Sequence, residues 1–211
     1  MKLMRVKDPE TVLQIIKEHF QPLGSEDVAL EEAGGLSLAA NIAAPEDVPG
    51  FDRSTVDGYA AAAIDTFGAG EGMPAMLECV GEGLMGQKAP SIERGQCLLV
   101  HTGGMLPKGA DAVIMLEDTE VTGTLIQSFR QVAPGENVIH RDEDLKKGAT
   151  ALKKGHLLRA PEIGMLASMG IIKVSVHRQP VVGFLSSGDE LVDYHQQQLQ
   201  GGQIRDSNAP A

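Results

Sequence analysis

Between residues 59 and 129 the chain breaks into apolar runs too short for helices, each closed by a glycine or a proline. The runs are 59–64, 75–80, 97–101, 112–116 and 124–129. Turn signals separate them at 68–72, 81–86, Gly103-Gly104 and 107–109, and Pro134-Gly135 follows the last. An amphipathic helix needs about three turns to bury a face, whereas four to six apolar residues between backbone reversals suit strands, so the pattern predicts a β-rich module. No period recurs, which excludes a repeat architecture.

The flanks read differently. Asp8-Pro9-Glu10 predicts a helix start: an acceptor at the N-cap, proline at the first helical position, and an acid facing the dipole. Val12, Ile15 and Ile16 give that helix an apolar face, and Pro22 and Gly24 stop it. Residues 28–30 read as a short strand, 31–36 as a turn or short helix, and 38–42 as extended chain before a linker framed by Pro45 and Pro49. Leu157-Leu158 leads to a second helix start at Ala160-Pro161-Glu162, with Ile163, Leu166 and Ala167 as its stripe and Gly170 as its C′ residue. Residues 173–177 alternate, placing Val174 and Val176 on one face.

Residues 181–185 are apolar on both faces and predict a parallel strand covered by helices. That strand ends at Ser186-Ser187-Gly188-Asp189-Glu190, polar groups at the carboxyl end where open α/β sheets bind ligands. Residues 195–202 read as a loop, and 203–208 rise towards a further helix start. One parallel strand cannot make a doubly wound sheet, because each βαβ unit needs about 30 residues. This third module is therefore expected to be cut off as it begins.

A formal charge of −11, from 18 basic and 29 acidic residues, opposes phosphate backbones, and no local basic patch offsets it, so no nucleic-acid partner is expected. Aromatic content is only 3% with no Trp, which leaves little to stack bases or sugars. Mean hydropathy is −0.07 and no apolar run approaches the ~20 residues of a membrane helix. Residues 1–7 are not followed by the apolar segment of a secretory leader. The expectation is a cytoplasmic protein without a membrane partner. Cys79 and Cys97 are too few for a disulfide framework and lack metal-ligand spacing, so reduced thiols are expected.

Chemistry concentrates in Pro49-Gly50-Phe51-Asp52-Arg53-Ser54-Thr55-Val56-Asp57-Gly58-Tyr59-Ala60. Two turn signals, Pro49-Gly50 and Asp57-Gly58, enclose two carboxylates, a guanidinium and two hydroxyls on backbone expected to be neither helix nor strand. By itself the plainer reading is a polar surface turn. His101-Thr102-Gly103-Gly104 ends a strand with a hydroxyl and two glycines whose N–H groups can line an anion site, a simple tight turn being the alternative. Gly81-Glu82-Gly83-Leu84-Met85-Gly86 matches the dinucleotide fingerprint, but Pro90 falls where the required helix must open, so the match is read as coincidence.

Arg141-Asp142-Glu143-Asp144 is an acidic cluster of the kind usually left in solvent, and Asp206-Ser207-Asn208 is explained by helix capping alone. Asp57, Asp144, Glu190 and Asp206 nevertheless offer hard oxygen ligands. Mg²⁺, which favours few carboxylates plus a substrate phosphate, is the ion they suit. Neither a zinc spacing nor a nucleophile elbow is present. The residues alone thus predict a phosphate-bearing ligand bound with Mg²⁺.

Four blocks, in order, resemble the molybdopterin molybdenumtransferase family, to which the gephyrin E domain is related. The 49–60 stretch resembles its P-x-F-D-x-S-x-x-D-G-Y-A signature. Thr102-Gly103-Gly104-Met105-Leu106-Pro107 with Gly109-Ala110-Asp111-Ala112-Val113 resembles its TG-x-x-x-P…GADAV segment. Gly135-Glu136-Asn137-Val138 with Asp142-Glu143-Asp144 and Gly148 resembles its G-x-N…GED…G loop, with Asp142 where Gly is common. Ser187-Gly188-Asp189-Glu190-Leu191 with Gly202-Gln203-Ile204 and Asp206-Ser207-Asn208 resembles its TGDEL…G-x-I-x-(D/N)-(S/T)-N stretch, with Ser in place of Thr.

The resemblance implies insertion of molybdate into adenylylated molybdopterin with Mg²⁺, releasing AMP and molybdenum cofactor. It places Asp57, Asp144 and Glu190 at catalytic positions and Thr102, Gly103, Ser187, Asp206 and Asn208 at substrate-binding ones, with Asp57 and Glu190 as candidate Mg²⁺ ligands. It implies a multidomain mixture of α/β and β parts. Residues 1–45 with 145–177 would form an α+β linker and dimerisation domain, 46–144 an inserted β-rich domain, and 178–211 the truncated start of a doubly wound molybdopterin-binding domain. A homodimer is implied, as is contact with the molybdopterin adenylyltransferase that supplies the substrate. The family's later S-G-G-x-S and P-G-N-P-x-S segments are missing, so the 211-residue chain alone is expected to be inactive. The alternative within the family is a non-catalytic dimerisation or scaffold module.

Overall fold

The computed structural model describes residues 6–210, so the reading of 1–7 falls largely outside it. The described residues form two compact units, 6–26 with 177–210, and Asp27–Val176. Helix α1, Pro9–His19, starts as its sequence dictates. Asp8 Oδ1 accepts the Thr11 N–H at 2.8 Å, Oδ2 accepts the Thr11 hydroxyl at 2.6 Å, and Pro9 occupies the first turn. None of its residues is buried, so the apolar face expected of it is formed but uncovered.

The other elements follow in chain order. They are β1 Ser25–Ala29, β2 Ile42–Ala43, β3 Arg53–Ser54, β4 Gly58–Ala61, β5 Ala75–Glu82, β6 Gln96–Val100 and β7 Ala112–Met115. Next come β8 Thr119–Thr122, β9 Leu125–Ser128, β10 Val138–Ile139 and β11 Thr150–Leu152, then helix α2 Ala160–Ser168, β12 Lys173–His177, β13 Leu191–Val192 and β14 Ile204–Arg205. Among the described residues no helix is long and apolar enough to cross a membrane.

The five apolar runs become β4, β5, β6, β7 and β9 of one curled six-stranded sheet, ordered β7-β4-β6-β5-β9-β8. Only β5 and β6 run parallel; the other neighbours are antiparallel. The sixth strand, β8, was not expected, because Thr-Glu-Val-Thr at a sheet edge buries no residue and shows no apolar run. A two-residue loop joins it to β9, with Gly123 at φ +65° in the first position, as a tight hairpin requires.

Strand period sets two cores. Tyr59 and Ala61 pack with Leu77, Cys97 and Ile114 on one face, while Ala60 packs with Leu98, Val100 and Val113 on the other. All four residues of β4 are consequently buried. Gly58 does not make the expected turn; it opens β4, paired with Met115 on one side and Val100 on the other. A Cβ there would stand 2.0 Å from the Ile114 carbonyl oxygen, so glycine is required by close approach rather than by its φ.

A separate core joins Leu30, Leu38, Leu152, Leu158, Leu166 and Val176, between α2 and the two-stranded pairs β1–β12 and β2–β11. Glu162 in the first turn of α2 accepts the Arg159 N–H at 3.0 Å and its guanidinium at 3.1 and 2.6 Å. Gly170 ends the helix at φ +72°, and Val174 and Val176 point into the core, as their spacing predicts.

The parallel strand expected over 181–185 is not formed. Val181 and Leu185 are exposed, because no described element offers the ladder partners or helical cover that such a strand needs. The parallel pairing in this unit is instead β13 with β14. Nor does a helix open at 207–208. Asp206 Oδ1 accepts the Asn208 and Ala209 N–H groups at 3.0 and 3.2 Å and closes a turn.

Candidate functional site

The loop 49–60 is gripped from two sides. Within it β3 pairs antiparallel with β10, Ser54 opposite Val138 and Arg53 opposite Ile139. On its other edge the Gly103 N–H donates to Ser54 O at 2.8 Å, the Ser54 N–H to Gly104 O at 3.0 Å, and the Leu106 N–H to Asp52 O at 2.9 Å. The expectation of backbone outside any strand thus holds for only part of the loop. Two of its polar groups are spent on holding this shape. Ser54 Oγ, 1% exposed, donates to Val56 O and accepts the Val56 N–H at 3.2 Å, bending the chain, and Asp52 Oδ1 accepts the Arg141 N–H at 2.7 Å.

Asp57 is left facing outward. Its Oδ1 accepts the Thr102 N–H at 2.7 Å and the Thr102 hydroxyl at 3.1 Å, while Oδ2 has no protein partner. The Thr102 N–H, then its hydroxyl, hold this carboxyl below its ordinary range, and His101 adds to the effect against a desolvation penalty. The result is an ionised, half-exposed carboxylate with one oxygen fixed and one free. His101 is itself braced, with Nε2 2.7 Å from Glu82 Oε1 and Nδ1 3.8 Å from Asp57 Oδ1.

Gly103 and Gly104 keep the adjoining surface flat. Gly103 sits at φ +82°, and a Cβ on Gly104 would stand 2.8 Å from His101 O. Two clefts open here, of about 460 and 440 Å³. Phe51 and Met105 line both, with Met85 and Lys88 in the first and Lys108 and Arg141 in the second. Apolar walls with a few polar and charged tips are the usual make-up of a small-molecule cleft.

The remaining expected residues have surroundings of their own. Asp144 lines a cleft of about 410 Å³ with Val48, Leu145 and Met165, and its side chain hydrogen-bonds to none of Asp57, Thr102 or Gly103. Ser187, Glu190, Asp206 and Asn208 belong to the unit containing β13 and β14. There the Glu190 carboxylate folds back over Gly188, at which a Cβ would stand 2.8 Å from Oε2. Asp206 is held below its ordinary range, first by the adjacent Ser186 hydroxyl, which is short of an aligned hydrogen bond, and then by the Ala209 and Asn208 N–H groups. Asn208 lines a cleft of about 540 Å³ with Val182 and Phe184.

Residues 8–170 match the model of the MoeA N-terminal region (domain I and II). The chain belongs to the MoeA N-terminal family. Among curated proteins, this MoeA-family chain is 35% identical over 207 residues to a Staphylococcus epidermidis molybdopterin molybdenumtransferase, covering 95% of the chain and 48% of that protein. It is 38% identical over 199 residues to the Bacillus subtilis molybdopterin molybdenumtransferase, covering 90% and 46%. A crystal structure of a molybdopterin biosynthesis MoeA protein from Pyrococcus horikoshii superposes with a TM-score of 0.86 at 38% identity, over 95% of this chain and 54% of that one. The chain therefore spans about half the length of the MoeA relatives it matches.

Within the MoeA signature, the structure unites Asp57 with Thr102 and Gly103, and it adds two residues that sequence reasoning passed over. In the sequence His101 stands only as the residue before a hydroxyl, and Glu82 only within a glycine pattern read as coincidence; β5 and β6 bring them together across a separation of 19 positions. As to Mg²⁺, no three His, Cys, Asp or Glu side chains converge among the described residues. A single free carboxylate oxygen at Asp57 does fit an ion that takes one or two protein carboxylates and completes its shell with water and phosphate.

Proposed function

We propose that this chain is the N-terminal part of a molybdopterin molybdenumtransferase, which inserts molybdate into adenylylated molybdopterin and releases AMP. Family membership supports the cofactor-biosynthesis setting, since relatives bearing that name match 90–95% of the chain. The single observation that carries the reading is Asp57: an ionised carboxylate, fixed by two donors from Thr102, with one oxygen free, while Gly103, the residue after Thr102, lines an apolar cleft. Thr102 orients the carboxylate, Gly103 and Gly104 let a ligand approach the backbone, and Phe51 and Met105 exclude water from the cleft walls. Mg²⁺, held on Asp57 Oδ2, would supply charge neutralisation at the phosphate.

Glu190, Asp144, Ser187, Asp206 and Asn208 complete this reading as substrate- or metal-facing groups of the assembled enzyme. So do a homodimer, the supplying adenylyltransferase as partner, and the cytoplasm as location. Residues 178–211 then open the doubly wound pterin-binding domain, in which 181–185 acquires the strand neighbours it lacks here. A scaffold with no catalytic duty has no use for a free oxygen on Asp57, and this sets the two readings apart.

The test is complementation of a bacterium lacking its molybdenumtransferase, using the complete natural reading frame that contains this chain. Wild type should restore molybdoenzyme activity and Asp57→Ala should not. Equal restoration by both would remove Asp57 from the active site. The purified 211-residue chain should show no molybdate insertion, and turnover matching an intact relative would contradict the assignment of the missing half.

A further inference from the structure

One cation in the signature loop has no partner. Among the described residues, Arg94, Arg130, Arg141 and Arg159 each close on a carboxylate, and Arg205 donates to two backbone carbonyls. Arg178 is exposed to water. Arg53 alone is partly buried yet unpaired: its Nε is shielded from solvent with no acceptor, and its terminal nitrogens make no hydrogen bond or ion pair. In a chain with 29 acidic residues a carboxylate partner could be had readily. The shielded Nε–H is out of reach of a ligand, but the unpaired terminal nitrogens of the same guanidinium are left to an acceptor from outside the chain.

The backbone says where that acceptor comes from. Arg53 lies directly opposite Met105 in an antiparallel bridge and opposite Ile139 on the other side. Directly opposed residues project to the same face, so the Arg53 side chain lies beside that of Met105, which lines both clefts, while Arg53 itself is in neither lining. Guanidinium is the group best matched to tetrahedral oxyanions, because its planar fork donates two parallel bonds. We propose that Arg53 is an anion-binding residue of this site, taking a phosphate-type tetrahedral oxyanion from a small ligand that lies along Met105. The choice of ligand rests on the transferase reading, in which that oxyanion is either the adenylyl phosphate or molybdate.

The experiment uses the full-length natural protein and reads binding rather than turnover. AMP and molybdate are titrated in separate arms while the Nε–Hε signal of Arg53 is followed by ¹H–¹⁵N NMR in the wild type. Saturable movement of that signal with AMP identifies the phosphate ester as the source; movement with molybdate alone identifies the free oxyanion. In calorimetry Arg53→Gln should weaken the responding anion about tenfold, with Arg53→Lys between it and the wild type. A signal that neither anion moves, or affinities that Arg53→Gln leaves unchanged, overturns the proposal. Anion binding at Arg53 in a protein that fails complementation keeps this site and removes the transferase reading. Successful complementation with a silent Arg53 signal does the reverse.

Discussion

Replacing Gly58 with alanine asks how much freedom the sheet has where it meets the site. The new Cβ would lie 2.0 Å from the Ile114 carbonyl oxygen, 2.9 Å from its carbon and 3.0 Å from Val113 Cγ1. The two nearest are backbone atoms of a paired strand, so no rotamer change relieves the clash. Strand β4 must back away from β7 by about 1 Å, yet β6 holds its other edge and both its faces are packed. Overpacking costs about 1–3 kcal/mol, and weakening two of the β4–β7 ladder bonds adds about 1 kcal/mol each, for a total of about 3–5 kcal/mol. In a chain of this size that lowers Tm on the order of 10 °C. Thermal and urea melts followed by circular dichroism would measure it, with Gly34→Ala as control, since no atom lies within 4 Å of a Cβ there. A Gly58→Ala protein melting within about 2 °C of wild type would refute the reasoning.

Three further outcomes are expected. Thr102→Val removes the hydroxyl donor and leaves the N–H, so the depressed Asp57 carboxyl should titrate closer to its ordinary range, as read by ¹³C NMR; an unchanged midpoint would contradict the assigned cause. Glu162 is held down to about 2 from 4.5, first by Arg159 and then by His156. Because its folded value is depressed, its stabilisation is complete above pH 4.5 and fades as pH falls towards 2. Glu162→Gln should therefore flatten the acid limb of the stability profile within that window, and parallel profiles would refute the linkage. Burial, then Cys79, pushes the Cys97 thiol up to about 12, so iodoacetamide at pH 8 should label Cys79 well before Cys97; equal rates would show the buried strand opening freely.

What could be read from the sequence was what local chemistry decides. Asp8-Pro9 specified α1, Gly170 ended α2, and five apolar runs marked five strands because glycine and proline bound them. The edge strand β8 escaped because an exposed strand needs no apolar residues. The expected strand at 181–185 failed for the opposite reason: its apolar residues presuppose neighbours that are not among the described elements. At the site, Asp57 and Thr102 each stood out by residue type, but their hydrogen bonds depend on β4 and β6 being sheet neighbours, which a separation of 45 positions conceals. The brace from Glu82 to His101 was hidden in the same way, and the missing partner of Arg53 shows only once the partners of Arg94, Arg130, Arg141, Arg159 and Arg205 are known.

The clearance at Gly58 also makes Asp57 the fixed point of the site. Asp57 precedes a strand with no room to shift, and its carbonyl accepts the Leu116 N–H at 3.3 Å, so the carboxylate cannot travel to meet a ligand. Met85, which lines the first cleft, is by contrast more than half exposed. A ligand must therefore come to Asp57, and the position of the carboxylate becomes the reference from which the rest of the pocket is measured.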